Sequence, residues 1–321
     1  MTTSLFNTTL AHSHAEESGY LRSDKAMRTR GRSFYFASKF LNSETSKKAA
    51  RLYQFCRTID DIADQFDSKK RARDELNLTI AELNGEASPR DYTSDLYLLA
   101  DETGLDLRAA VELVKGCRSD LCGEVAIHDV EGLIRYCYQV AGTVGIMMCS
   151  VLGVSNPRAL PYAVDLGIAM QITNIMRDIT EDAESGRRYL PSTLVGNLSC
   201  DEITAPTQKT LATISTAVKA LADLADSYYS SGQSGICFLP GSAQQSIAIA
   251  ATIYRQIGVK VRSNTAKSLT HRVVIPRTEK FVLAGKALYR NFFDRNSFQP
   301  PVHNSSLHKP ICHRPGTNPL S

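Results

Sequence analysis

Residues 174–191 read NIMRDITEDAESGRRYLP. The first half has the composition of a buried helix, with Ile175, Met176 and Ile179, and Ile172 just before them, all apolar. Asn174, Asp178 and Asp182 interrupt it at intervals of four, so they share one helix face. An isolated carboxylate in apolar surroundings costs several kcal/mol unless something compensates it. This spacing therefore asks for a cation.

A second stretch, RTIDDIAD at 57–64, repeats the device. Asp60 and Asp64 lie four apart on one face, Asp61 points about a quarter-turn away, and Arg57 sits one turn before Asp60. A DxxxD pair alone is usually a solvated helix face. Paired with the longer motif, and with Gln171 one turn before Asn174, it reads as half of a site. Every candidate ligand is an oxygen, and no His or thiolate joins them. That set selects a hard cation, Mg²⁺ or Mn²⁺, over zinc. Mg²⁺ keeps coordination positions for water and phosphate oxygens, and each carboxylate face has an arginine on its own helix (Arg57, Arg177). The pattern points to a bridged diphosphate.

The rest of the chain reads as helix. Three- and four-residue apolar steps predict helices over 46–66, 74–85, 132–152, 155–183, 210–232, 241–264 and 277–294, and alternating strand patterns are nearly absent. The 321 residues, 43% of them hydrophobic, suffice for one large domain or two small ones. Eight cysteines without a CxxC pair fit a reduced, cytosolic chain. The N-terminus lacks a basic segment followed by an apolar one, so no signal peptide is expected. The longest nearly apolar run, 144–154, is too short to span a bilayer. The expected location is cytoplasmic, peripheral at most on the inner membrane face. No basic stripe with interleaved aromatics suggests a nucleic acid. The net charge is +4, of which Arg295, Lys309 and Arg314 lie in a tail (295–321) with no acid. That tail, rich in Pro, Ser, Asn and His, is expected to be disordered. Its metal-capable groups, His303, His308, Cys312 and His313, are read as part of a solvated segment.

Taken together, these stretches resemble the squalene/phytoene synthase family, the head-to-head isoprenyl diphosphate synthases. The matching pieces are GRSFYFAS (31–38), YQFCRTIDDIAD (53–64), YCYQVAGTVG (136–145), QITNIMRDITEDAESGRRYLP (171–191) and IYRQIGVKV (253–261) with Arg272, spread over roughly residues 27–275. Within the family, the phytoene synthases of carotenoid biosynthesis resemble it most closely.

The resemblance implies an all-α, single-domain isoprenoid-synthase bundle with a central cavity over 19–294, flanked by disordered segments at 1–18 and 295–321. It places Asp60 and Asp64 on the family's first aspartate-rich motif, and Asn174, Asp178 and Asp182 on the second, which binds Mg²⁺. Arg30, Gly31, Arg32 and Ser33 match a flap over the diphosphate. Tyr53, Arg57, Gln171, Arg177, Tyr254 and Arg272 match diphosphate or intermediate contacts, with Tyr254 among the catalytic set. Tyr136 and Tyr189 match further cavity residues. Asn42 stands where many relatives have proline, and Thr180 where many have glycine.

The implied reaction joins two geranylgeranyl diphosphates through a cyclopropylcarbinyl diphosphate to phytoene, with no NADPH. The alternatives are the same chemistry on farnesyl diphosphate, giving dehydrosqualene, squalene or presqualene diphosphate, and a non-catalytic relative. The five retained ligands argue against the last. Oligomeric state is not legible. Small residues at Ser38, Ala49 and Ala50 are expected to leave room for the longer chain.

Overall fold

The computed structural model describes residues 32–65, 68–121, 125–293 and 302–317. Arg30 and Gly31, expected to belong to a flap, and the segment 1–18 lie outside the described residues, as do 294–301 and 318–321.

Helix α1 (Arg32–Ser38) leads into α2 (Ser43–Gln65). Asn42 starts α2: its side-chain oxygen accepts from the Thr45 amide at 2.8 Å, so the departure from proline supplies an N-cap. Ala49, Leu52, Phe55, Ile59 and Ile62 form the buried stripe of α2, and Asp60 and Asp64 lie beside it. Next come α3 (Lys69–Leu83), α4 (Asp91–Thr103) and α5 (Leu107–Ser119). Sequence periodicity does not single out α4 and α5. Local signals delimit them: Gly104, at φ 69°, ends α4, and the Asp106 carboxylate caps α5 by accepting from the Arg108 amide.

The helix expected over 132–152 is divided. A π-turn, Tyr138–Gly142, separates α6 (Val130–Cys137) from α7 (Thr143–Val151). The wider turn re-phases the chain. Tyr136 lines the cavity, while the fully buried Tyr138 reaches the other way and donates to the Pro315 carbonyl at 2.9 Å.

Helix α8 (Leu160–Arg177) is buried on most sides. Its backbone touches that of the π-turn: a Cβ on Gly167 would lie 2.4 Å from the Ala141 carbonyl oxygen. The second motif is not one helix. It breaks at Asp178 (φ −107°, ψ 20°) and resumes as α9 (Ile179–Glu184). Short helices α10 (Ser192–Val195) and α11 (Cys200–Thr204) follow, then the long α12 (Gln208–Ser234) and α13 (Gly241–Ser263), the short α14 (Thr265–Thr270), and α15 (Arg277–Phe293). Helices α7, α12 and α13 and the π-turn all pack on α8, which is why its sequence is apolar nearly all round. One two-residue parallel pair, Val125–Ala126 with Arg187–Arg188, ties the segment after the second motif to the segment after α5. No described helix is long and apolar enough to cross a membrane.

The expectation of a disordered tail over 295–321 fails for 302–317. Ser305–Ile311 forms a 3₁₀ helix on the body, with His308 and Ile311 buried. The physical reason lies in α8. Asp165 is fully buried there, and a buried carboxylate needs partners. His303 Nε2 and His308 Nε2 each lie 2.8 Å from one of its oxygens. The Tyr228 hydroxyl donates to the Leu307 carbonyl at 2.7 Å, and Arg314 pairs with Glu112 at 2.5 Å.

Candidate functional site

A cavity of about 690 Å³ opens at one end of the bundle. Helix α2 contributes Arg57, Asp60, Ala63 and Asp64; α8 and α9 contribute Gln171, Asn174, Arg177, Asp178, Glu181 and Asp182. The remaining wall includes Lys69, Cys117, Asp120, Tyr136, Val140, Arg187, Tyr189 and Arg272. The two aspartate-rich motifs thus face one space.

The helix break leaves the spacing of the second motif intact. The Asp178 amide donates to the Asn174 carbonyl at 2.9 Å, and the Asp182 amide to that of Asp178 at 2.8 Å. The Thr180 hydroxyl donates to the Leu269 carbonyl at 2.8 Å, anchoring α9 to α14, so this departure from glycine has a structural use. The Asn174 amide nitrogen donates to Gln171 Oε1 at 3.2 Å. Among the described residues, Asn174 Oδ1 is buried with no hydrogen-bond partner, as is Asp120 Oδ1.

Arginines hold the carboxylates. Arg177 grips its neighbour Asp178 through two nitrogens, and Arg272 reaches the same carboxylate at 3.1 Å. Arg187 pairs with Asp64 at 2.8 Å, and Arg57 pairs with Asp61. The deeper acids lack such close partners. Burial pushes Asp60 up to about 7; Arg57 opposes this and Asp64 adds to it. Burial, helped by Asp178, pushes Asp182 up to about 8 against the pull of Arg187. Asp120 is raised to about 6 by burial, although the Tyr136 and Tyr189 hydroxyls both donate to its Oδ2.

Sequence reasoning does not name Asp120, Arg187, Lys69, Cys117 or Glu181. Arg187 lies inside the quoted GRRYLP run, but Asp120 sits in RSDLCG with no periodic partner to mark it. Tyr254, Tyr53 and Ser33 are among the expected residues that stand off this cavity. Tyr254 is buried on α13 with its ring 5.0 Å from Phe34 of α1, and Arg177 lowers its phenol pKa against the effect of burial. Tyr53 lies on α2 one turn before Arg57, and Ser33 lies on α1. Arg32 begins α1. Ser38, Ala49 and Ala50 are buried in helix packing and do not line this cavity.

The donor set fits a hard cation: it is all oxygen, and its buried Asn174 Oδ1 has no hydrogen-bond partner among the described residues. Among the described residues, the one group of three metal-capable side chains with ligand atoms all within 4.8 Å is Asp165, His303 and His308, outside this cavity.

The family model for squalene/phytoene synthase matches residues 27–279. The chain belongs to that family. It is 31% identical over 271 residues to a phytoene synthase of Pseudescherichia vulneris, covering 81% of this chain and 87% of the relative. It is 30% identical over 291 residues to the 15-cis-phytoene synthase of Pantoea ananas, covering 86% and 93%. The fold matches a dehydrosqualene synthase solved with a ligand, at a TM-score of 0.73 and 23% identity over 87% of this chain and 99% of that one. A squalene synthase from Alicyclobacillus acidocaldarius matches with a TM-score of 0.67 and 19% identity over 78% and 96%. The isoprenoid-synthase bundle expected from the sequence is therefore the fold observed.

Proposed function

We propose that this protein is a phytoene synthase, a transferase that joins two geranylgeranyl diphosphates head to head in carotenoid biosynthesis. The observation that carries the reading is the meeting of Asp60 and Asp64 with Asn174, Asp178 and Asp182 across one arginine-lined cavity. The phytoene synthases at 30–31% identity over most of the chain support the choice of product.

On this reading those five side chains hold Mg²⁺ or Mn²⁺, which supplies charge neutralisation at the departing diphosphate. Arg57, Arg177 and Arg272 bind diphosphate oxygens through charge-assisted hydrogen bonds, with Gln171 beside them and Arg30, Gly31, Arg32 and Ser33 closing over the group. Loss of the first diphosphate leaves an allylic cation. Attack by the double bond of the second chain, followed by loss of a proton as the three-membered ring closes, gives the cyclopropylcarbinyl diphosphate; its ionisation, rearrangement and a second proton loss give the product. No hydride donor such as NADPH enters. The apolar bundle excludes water that would quench the cations. Tyr136 and Tyr189 are held against Asp120 as cavity wall. Burial pushes the Tyr254 phenol up to about 12, keeping it a neutral hydroxyl beside Arg177 and Tyr53, suited to contact an intermediate without donating negative charge.

Incubation with labelled geranylgeranyl or farnesyl diphosphate, with and without NADPH, followed by chromatography of the hydrocarbon, tests the reading. Phytoene from the longer substrate without NADPH is expected. A product formed only from farnesyl diphosphate would replace it with the shorter-chain reading, and no product with an intact metal site would leave a binding protein.

We propose that the protein acts in the cytoplasm with peripheral contact to the inner membrane face. Phe281, Val282 and Tyr289 of α15 are exposed, and Phe281 and Tyr289 share a helix face with Lys286 and Arg290 nearby on the same helix.

A further inference from the structure

Asp165, His303 and His308 form a second cluster of metal-capable groups, built from parts of the chain remote in sequence. Asp165 is fully buried in α8, and the two histidines come from the folded tail. Their side chains are only 8% and 4% exposed. Each Nε2 faces a different oxygen of the one carboxylate at 2.8 Å, and the two rings lie 4.5 Å apart.

The hydrogen-bond chemistry of His308 decides what the cluster can hold. Its Nδ1 lies 3.2 Å from the Thr317 carbonyl, a pure acceptor, so Nδ1 carries the proton. In a neutral imidazole the Nε2 then carries a lone pair, and that lone pair is aimed at a carboxylate oxygen. Two acceptors face each other unless a cation stands between them or the ring takes a second proton. Ligation through Nε2 with Nδ1–H held by a backbone carbonyl is the outer-shell arrangement of metal-bound histidine. Around the cluster, Ser231 donates to Asp165 Oδ2, and Tyr162 packs against the His303 ring at 5.1 Å, limiting access to water.

We propose that Asp165, His303 and His308 bind a borderline transition-metal dication, Zn²⁺ in the first instance, which fastens the C-terminal tail to the central helix. Two imidazoles and one carboxylate suit this class, whereas the all-oxygen cavity suits Mg²⁺, so the two sites differ in metal as well as in place. Metal–ligand bonds of about 2.0–2.1 Å place tetrahedral donors roughly 3.3 Å apart, so each imidazole withdraws by about half an ångström as the ion enters. Water takes the fourth position. The tail segment contributes ligands five residues apart, and the binding energy is spent on ordering it.

The test uses the full chain, stripped with a chelator and titrated with Zn²⁺ against a chromophoric competitor, with and without excess Mg²⁺. Co²⁺ serves as a spectroscopic substitute. One equivalent of Zn²⁺ should bind in the presence of Mg²⁺, with intense tetrahedral Co²⁺ bands, and the melting temperature should rise with metal. That equivalent should persist in Asp60→Asn/Asp178→Asn and disappear in both His303→Gln and His308→Gln, each checked for folding by circular dichroism. Retention of the same equivalent in both histidine variants would overturn the proposal. So would failure of the wild-type chain to bind Zn²⁺ at micromolar concentrations, which would mean that the cluster is an imidazolium–carboxylate latch.

Discussion

The rings of Tyr136 and Tyr189 lie 4.8 Å apart and 22° from parallel, and both hydroxyls donate to Asp120 Oδ2, at 2.8 and 2.9 Å. One residue precedes the π-turn and the other follows the second aspartate motif, so Asp120 joins two walls of the cavity. A hydrogen bond to a charged group contributes about 1.5–3 kcal/mol. Tyr189→Phe should therefore lower unfolding stability by roughly that amount. Asp120→Leu should cost less than Tyr136→Phe and Tyr189→Phe combined, because it also removes the buried Asp120 Oδ1, which has no partner among the described residues. Denaturant unfolding of the three variants checks both statements.

Asp60→Asn and Asp178→Asn should each lower turnover by orders of magnitude while leaving the fold intact. Either substitution removes a charge proposed to hold metal at the leaving group, a loss of several kcal/mol in transition-state stabilisation. Steady-state kinetics beside circular dichroism provides the check, and near-normal turnover in either variant would defeat the two-motif reading.

The metal-free protein should become less stable as pH rises. Asp60, Asp182 and Asp120 titrate near 7, 8 and 6 when folded, against an ordinary value of 3.8. Between those limits the folded chain holds more protons than the unfolded one. Stability therefore falls as pH rises, by about 1.4 kcal/mol for each excess proton over each step of one in pH. Asp106, Glu112 and Asp165 are displaced the other way; they are ionised in both states above pH 5 and add no slope there. Urea unfolding in chelator should show a lower midpoint at pH 8 than at pH 5, with a smaller difference in Asp60→Asn. A midpoint that rises with pH, or a slope unchanged in the variant, contradicts the assignment.

Truncation after residue 301 should destabilise the chain. It strips Asp165 of both histidines and uncovers the surface under Ile311. Removing the ionic partners of a buried carboxylate costs about 3–5 kcal/mol, of which the remaining Ser231 hydroxyl on Asp165 offsets part. The truncated chain should melt well below the full one; equal melting temperatures would show that the tail contributes nothing.

Liposomes containing anionic lipid should float the full chain, and Phe281→Glu/Tyr289→Glu should release it without changing turnover on detergent-dispersed substrate. A chain that never floats, with or without substrate, rules out the docking of α15 on the bilayer.

Sequence alone determined the helical class and the two oxygen-donor faces, because both are local. A four-residue interval places side chains on one helix face whatever surrounds the helix, and apolar residues on most sides of α8 mark it as central. It also carried the all-oxygen character of the ligands, which is a matter of residue type. What depended on distance along the chain was decided only by the tertiary structure. The helix resumed after the break at Asp178 is anchored to Leu269, and the π-turn is met closely by Gly167 of α8, both contacts between residues remote in sequence. Asp120 joined the site through partners 16 and 69 residues away. The tail shows the limit most plainly. Its composition is that of a segment unable to bury enough apolar surface to order itself. Asp165, 138 and 143 residues from the two histidines, supplied the missing stabilisation as a buried charge in need of partners. No local pattern records such a need, because the cost of an unpaired carboxylate exists only once the helix around it has been buried.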